Sequence, residues 1–380
     1  DVREGRRPNI GGIEERPGGG VQVTGAAAVM EINGIITEMI FKKNRDRHDF
    51  YVEESYPIQW MYPYLSPHGL IMKLNYDPVE YDKKKIAADM DFWDWYVRRL
   101  IADPNFARDL PARKSFSKLR NAISGTYAQR GMLREAERGF HEAIALYVYS
   151  PESTMNMIQR IYLPQRRLDE SLDLLLKLKT LDPNNASLPI EQVSRLQTAH
   201  KMSGELMKKL SGGEKLNEAD TLALLDSLIT VDYRQQALQV LETYKSGNKP
   251  SPNFRAKAGF ILSEARMYRE AAAEFSALSG ADLKNLELIS NKQLYEIYRT
   301  MTIAQDVRGV ERVLVVYLNR EENIKNWEAW LDYAGVCLTK GDVVRARASL
   351  DFALKYGKRD AEILISQVPY LKQLYEGTSS

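Results

Sequence analysis

The 380-residue sequence predicts a mainly α fold: an α-solenoid of antiparallel helix pairs with a small α/β portion at its N-terminal side. Three observations carry this. Ile123, Tyr127, Ala136, Phe140 and Ala143 fall at helical spacing on the two sides of Gly131, the pattern of two short helices joined by a tight turn. The pattern returns, with losses, to the end of the chain. The chain is also too long for one ordinary core, so several domains or a repeat array are expected.

Residues 1–20 are rich in Gly, Arg, Glu and Pro and end in Pro17-Gly18-Gly19-Gly20, so they read as a flexible arm with too little apolar surface to order itself. The glycines lack the lysine and hydroxyl of a phosphate loop. Residues 21–78 read as the small α/β portion. Val21-Gln22-Val23 is a strand, and Thr24 is placed to cap the following helix. Val29, Ile32, Ile36, Met39 and Ile40 share one face of that helix and are expected to be buried. Phe50-Tyr51-Val52 and Leu70 to Leu74 are further strands, and Tyr56 to Leu65 forms a helical turn or two around prolines.

Residues 79–114 hold an aromatic-rich helix and a connection. Ile86, Met90, Trp93, Val97 and Leu100 lie on one side of the helix, and Pro104 ends it. The run Phe92-Trp93-Asp94-Trp95-Tyr96 is aromatic almost all round, which predicts cover from both neighbours.

Residues 115–380 read as the repeat domain. The first pair spans about 115–130 and 133–147. The second spans about 152–165 and 167–180, with Ile158, Tyr162, Ser171 and Leu175 at the equivalent places and Ser150-Pro151-Glu152 as its start. Their offset of roughly 35 residues is similar to that of the tetratricopeptide (TPR) unit. A long helix from about 190 to 210 breaks the period. Pairing resumes with Leu224, Leu228, Ala237 and Leu241, then with Gly259, Ala271 and Phe275. The stretch 283–319 keeps little beyond apolar spacing, and the last clear unit shows Trp330, Gly341, Ala346 and Ala353. A closing helix over about 359–376 would cover the apolar end that a solenoid otherwise exposes.

Composition narrows the function. Residues 1–110 hold 15 Lys+Arg against 18 Asp+Glu, which leaves 38 of the 53 cations against 33 of the 51 anions afterwards. Neither part has the basic excess that follows a phosphate backbone, so no nucleic-acid partner is expected. The lone cysteine, Cys337, closes no internal disulfide. No apolar run reaches membrane-spanning length. The start at Asp1, without methionine, reads as a cut boundary or a processed end.

No catalytic constellation, metal site or cofactor is expected. His48, His68, His141 and His200 show no metal-ligand spacing, with His68 in a Pro-His-Gly turn. Glu53 and Glu54 are adjacent on an extended segment and so point to opposite faces, which disfavours a carboxylate pair. The expected activity is binding. Projected onto the first two units, Lys118, Asn121, Gln129, Asn156 and Arg160 face the hollow side, where cations and amides would hold a polypeptide through charge-assisted hydrogen bonds.

Two groups of residues also carry a resemblance. Phe50 to Tyr56, Trp60 to Leu65 and Pro67 to Lys73 form one, and Ser115-Phe116-Ser117-Lys118-Leu119-Arg120 the other. They resemble segments of a bacterial family of large polytopic membrane proteins that look like GT-C-type glycosyltransferases and end in a soluble tail with TPR units. The resemblance covers about residues 21–150. It implies a soluble extracytoplasmic tail, at the periplasmic face of an inner membrane, of a protein whose membrane segments lie upstream. It carries no catalytic residue onto this chain. The alternative it raises is an accessory part of a glycosyltransferase acting on an extracytoplasmic acceptor.

Overall fold

Backbone φ is positive at Gly131, Arg166, Asp232, Arg266, Gln305 and Gly341, one residue for each of six helix pairs. At all six, the amide of the next residue bonds back across the turn: Met132 to Tyr127 O, Arg167 to Tyr162 O, Tyr233 to Leu228 O, Met267 to Leu262 O, Asp306 to Met301 O and Asp342 to Cys337 O, at 2.7–3.0 Å. This bond and the left-handed residue before it are the Schellman ending, which satisfies carbonyls left open at a helix C-terminus.

The turn sets a common frame for burial. Eight and four residues before it lie Ile123 and Tyr127, Ile158 and Tyr162, Leu224 and Leu228, Ala258 and Leu262, Ile297 and Met301, and Tyr333 and Cys337. Five and nine residues after it lie Ala136 and Phe140, Ser171 and Leu175, Ala237 and Leu241, Ala271 and Phe275, Val310 and Leu314, and Ala346 and Leu350. Every one of these is buried. A small residue just past most turns lets the second helix cross close to the first, and the larger residue one turn on fills the gap. Burying each such large side chain contributes about 2–3 kcal/mol.

The computed structural model describes residues 12–16, 20–53, 58–285 and 287–377, in two units that meet in sequence between Arg195 and Leu196. The first unit opens with β1 (Ile13–Glu15) and β2 (Val21–Val23), paired antiparallel with Ile13 opposite Val23. Part of the segment read as a free arm is therefore a strand. Helix α1 (Ala26–Asn44) follows. Then come β3 (Phe50–Val52), a 3-10 turn (Gln59–Tyr64), β4 (Leu65–His68) and β5 (Ile71–Leu74). The last three strands form an antiparallel sheet in the order β3-β5-β4, apart from β1 and β2. Pro67 sits on the edge strand β4, where its missing amide costs the ladder least.

Two expectations fail here. Thr24 does not cap α1: the N-cap is Gly25, and the Thr24 hydroxyl donates to Gly12 O at 3.2 Å. Thr24 sits one residue too early to reach the helix amides. The apolar stripe of α1 is not its core face either. Val29, Ile36, Met39 and Ile40 are exposed, whereas Ala28, Gly34 and Phe41 are buried. Aromatic packing sets the orientation. Phe41 meets the rings of Phe50, Trp60 and Tyr64 at 5.4–5.7 Å, and Trp60 Nε1 donates to Thr37 Oγ1 at 3.3 Å.

Helix α2 (Lys83–Ala102) is capped by Asp82, whose carboxylate accepts from the Lys85 amide. Met90, Trp93 and Val97 are buried as expected, but Trp95 is exposed, so α2 is covered on one side only. Asp103 caps α3 (Pro104–Arg108), and Asp109 caps α4 (Leu110–Gln129), which starts earlier than the sequence suggests. Helices α4 and α5 (Leu133–Leu146) make the first pair. Ser150 caps α6 (Pro151–Met157), which continues as a π turn (Ile158–Tyr162) and pairs with α7 (Leu168–Leu181). Helix α8 (Ile190–Ser211) is the long one that breaks the period.

In the second unit the pairs are α9 (Glu218–Thr230) with α10 (Arg234–Gly247), and α11 (Pro252–Glu264) with α12 (Tyr268–Ser276). The short α13 (Gly280–Lys284) precedes α14 (Asn291–Ile303) with α15 (Val307–Leu318), then α16 (Trp327–Thr339) with α17 (Val343–Gln367). The backbone of α17 leaves the helical region at Lys358 (φ 47°, ψ −125°), and α18 (Pro369–Glu376) follows. The expected closing helix is thus two pieces. Among the described residues no helix is long and apolar enough to cross a membrane.

Candidate functional site

The predicted groove residues lie on the first helices of the first two pairs. Lys118 and Gln129, on α4, are exposed. Asn121 is buried: its Nδ2 donates to Glu152 Oε1, and its Oδ1 accepts from Asn156 Nδ2, both at 3.2 Å. This amide joins the first pair to the second and is buried between them, so Asn121 is a stacking residue rather than a groove residue. Asn156 and Arg160 are half-buried, with Arg160 in the π turn. A Cβ at Gly125 would lie 4.0 Å from Arg160 Nη1, an ordinary contact, so the guanidinium lies beside α4 at that point.

Electrostatics separate two of these residues from their neighbours. Arg120 is bound to Asp89 and Glu142, Arg138 to Asp94 and Glu142, and Arg167 to Glu137 and Glu170. Arg130 donates to the carbonyls of Tyr62 and Leu65. Lys118 and Arg160 have no carboxylate within 4.0 Å among the described residues. Both are open to an incoming anion.

The second unit uses the same face of its first helices. Gly335 and Thr339 stand six and two residues before the Gly341 turn, as Gly125 and Gln129 stand before Gly131. Here they line an open cleft of about 590 Å³ between α14, α15, α16 and α18. Tyr298 and Asp332 stand in it, with the phenol donating to the carboxylate at 2.5 Å. Tyr370, from α18, reaches over Gly335: a Cβ there would sit 3.4 Å from the Tyr370 hydroxyl. The cleft offers phenol, hydroxyl and carboxylate groups beside Val307 and Val336. Sequence reasoning missed it because the residues come from four helices in a stretch whose repeat signal is thin. The glycine at the matching position before the turn was the available signal.

No family model matches the chain, and no curated protein matches it. Solved structures do match. One is a structure of Naa15/Naa10 bound to HypK-THB, at 14% identity and a TM-score of 0.29, covering 72% of this chain. This chain spans 43% of the length of that one. Another is a tetratricopeptide repeat protein from Parabacteroides merdae ATCC 43184, at 13% identity and a TM-score of 0.22, covering 79% of this chain and 94% of that one. A third is the TPR domain of P58(IPK), at 12% identity and a TM-score of 0.22, covering 76% and 99%. Scores of this size match helices without superposing whole chains, so the TPR-like assignment rests on the six turns and the burial frame.

Proposed function

We propose that this chain is a noncatalytic scaffold that binds a polypeptide along the face of its first helices. The observation that carries this reading is the recurrence of one surface in both units. Glycine stands six residues before the turn in the first and last pairs, and each time a neighbour's polar group lies within 3.4–4.0 Å of where its Cβ would be. Beside that glycine lie open donors and acceptors: Lys118, Gln129 and Arg160 in one unit, and Thr339, Asp332 and Tyr370 in the other. An exposed lysine and a half-buried arginine, neither paired with a carboxylate among the described residues, suit a carboxylate-bearing segment.

An unbiased peptide library panned on the full chain tests this. Enriched peptides should lose at least about tenfold in affinity, or 1.4 kcal/mol, on the Lys118→Glu/Arg160→Glu chain or on Thr339→Trp. Peptides that bind all three chains alike would place the guest elsewhere.

The finer reading is that the scaffold is the extracytoplasmic tail of a membrane protein of the GT-C type, positioning its acceptor. Its support is the resemblance of residues 50–73 and 115–120; the first segment is tied to the C-terminal end of α4, the helix that carries the second, since Tyr81 joins Leu65 O to Thr126 and Arg130 reaches Tyr62 O. A gene with many apolar segments just upstream of Asp1 would agree with it. A start codon near Asp1 would remove it.

A further inference from the structure

The first unit holds a cavity of about 450 Å³, within the size range of small-molecule sites, at the junction of the β4–β5 hairpin, α2 and α4. Phe92, Tyr81, Ile86 and Val79 give it an apolar and aromatic wall, and Asp89 and Tyr127 line it as well. Asp89 is only 8% exposed. Its Oδ2 accepts from the Tyr127 hydroxyl at 2.7 Å and from Arg120 Nη1 at 3.4 Å. Its Oδ1 is buried and has no hydrogen-bond partner among the described residues.

Among the described residues Asp89 has one cation within reach, Arg120, and shares it with Glu142. Arg120 is fully buried and serves two carboxylates, with Nε on Glu142 at 2.7 Å and Nη1 on Asp89 at the longer distance. Glu142 has a second cation in Arg138, at 3.1 Å, and Asp89 has none. Lys85 lies one turn before Asp89 on α2 and lines the cavity, but its amine is 3.6 Å from Asp82 and its side chain is 68% exposed. A buried carboxylate oxygen without a donor costs free energy that a bound donor returns.

We propose that this cavity binds the ammonium group of a primary amine, with the carbon body of the ligand against Phe92 and Tyr81 and the charge on Asp89. The amine supplies the donors that Oδ1 lacks and a cation for Asp89 alone, whose guanidinium partner stands 3.4 Å away and is shared with Glu142. Burial holds the Asp89 carboxyl above its ordinary range, and a bound cation would bring it back. The same chemistry has two sources, a free aryl or alkyl amine and a lysine side chain of a partner. The site is separate from the face of the first helices and stands whether or not that face binds a polypeptide.

Isothermal titration of the full chain with phenethylammonium, with its neutral counterpart 2-phenylethanol and with N-acetyl-lysine methylamide decides the matter. Phenethylammonium should bind saturably and at least about tenfold more tightly than 2-phenylethanol. Asp89→Asn should lose at least about tenfold for the amine, and Ala88→Trp, at the exposed rim, should lose binding with an unchanged circular dichroism spectrum. Equal or tighter binding of the lysine derivative assigns the cavity to a partner's lysine, and weaker binding assigns it to a free amine. The proposal is overturned if no amine binds saturably up to about 10 mM, a dissociation constant beyond the range of even weak sites. It is equally overturned if 2-phenylethanol binds as well as the amine, or if folded Ala88→Trp binds as well as the parent chain.

Discussion

Gly259→Ala tests the helix-pair packing most sharply, because two ordinary rules oppose each other there. Gly259 lies inside α11, where alanine is intrinsically better than glycine by about 1 kcal/mol. Propensity alone therefore predicts stabilisation. The structure predicts the reverse. A Cβ at Gly259 would meet three atoms of the Phe275 ring at 2.3, 2.7 and 2.7 Å. The ring must retreat by about 1 Å to restore ordinary contact. It has little room: Phe275 is fully buried, and the Phe260 ring lies 5.1 Å away. Overpacking of this kind costs about 1–3 kcal/mol and occasionally more. Against the propensity gain, a net loss of about 1–2 kcal/mol is expected. Urea unfolding gives the total, and hydrogen exchange of the segment Ala256–Leu278 shows whether the loss is local. Gly204→Ala is the control, since among the described residues nothing lies within 4 Å of that Cβ in α8, and it should stabilise by about 1 kcal/mol. Adding Phe275→Leu to Gly259→Ala should cost less than the two single changes summed. The reasoning fails if Gly259→Ala stabilises the chain as Gly204→Ala does.

Two further changes follow from the turns and from the buried carboxylate. Gly131→Ala forces a side chain into the left-handed region and should cost about 1–2 kcal/mol, while Arg266→Gly should gain about 0.5–1 kcal/mol; equal thermal midpoints for both variants and the parent would contradict the turn assignment. Asp89 binds its proton more tightly in the folded chain, so between the unfolded value near 4 and the raised folded value the native state holds more protons and stability falls as pH rises. Asp89→Asn should therefore gain on the parent chain as pH climbs from about 4 to 7, and a midpoint difference that does not change with pH would refute the desolvation argument.

The helix pairs were legible because their signal is spacing of buried residues, and spacing survives substitution. Ile158, Tyr162, Ser171 and Leu175 are as buried as the better-marked Ile123, Tyr127, Ala136 and Phe140. Ser150 caps the helix that Pro151 begins, as the local chemistry suggests. The failures lie where several elements compete for one face. On α1 an aliphatic stripe and an aromatic Phe41 both offer a core side, and only the ring cluster around Trp60 decides between them. Asn121 reads as a groove residue because polar residues on helices are usually exposed. Its burial depends on Glu152 and Asn156, residues of the next pair. The Asp89 cavity joins a hairpin, two helices and a buried arginine. No single stretch of sequence contains that arrangement.

The uneven decay of the repeat has a physical order. At the turn, glycine remains only at 131 and 341; arginine, aspartate and glutamine hold the same positive φ elsewhere. A side chain in that conformation costs about 1–2 kcal/mol. Losing the large residue nine positions after the turn would cost about 2–5 kcal/mol, through lost contact and the cavity left behind. A repeat of this kind therefore loses less stability by replacing its turn glycine than by replacing its core. The stretch 283–319 agrees: Gln305 stands at the turn, yet Ile297, Met301, Val310 and Leu314 are all buried. Gly309, just before Val310, stays small for a separate reason, since a Cβ there would lie 2.5 Å from both Asp306 Oδ2 and Met301 Sδ. Small residues persist where backbones or caps crowd them, and turn glycines go where only the backbone angle asks for them.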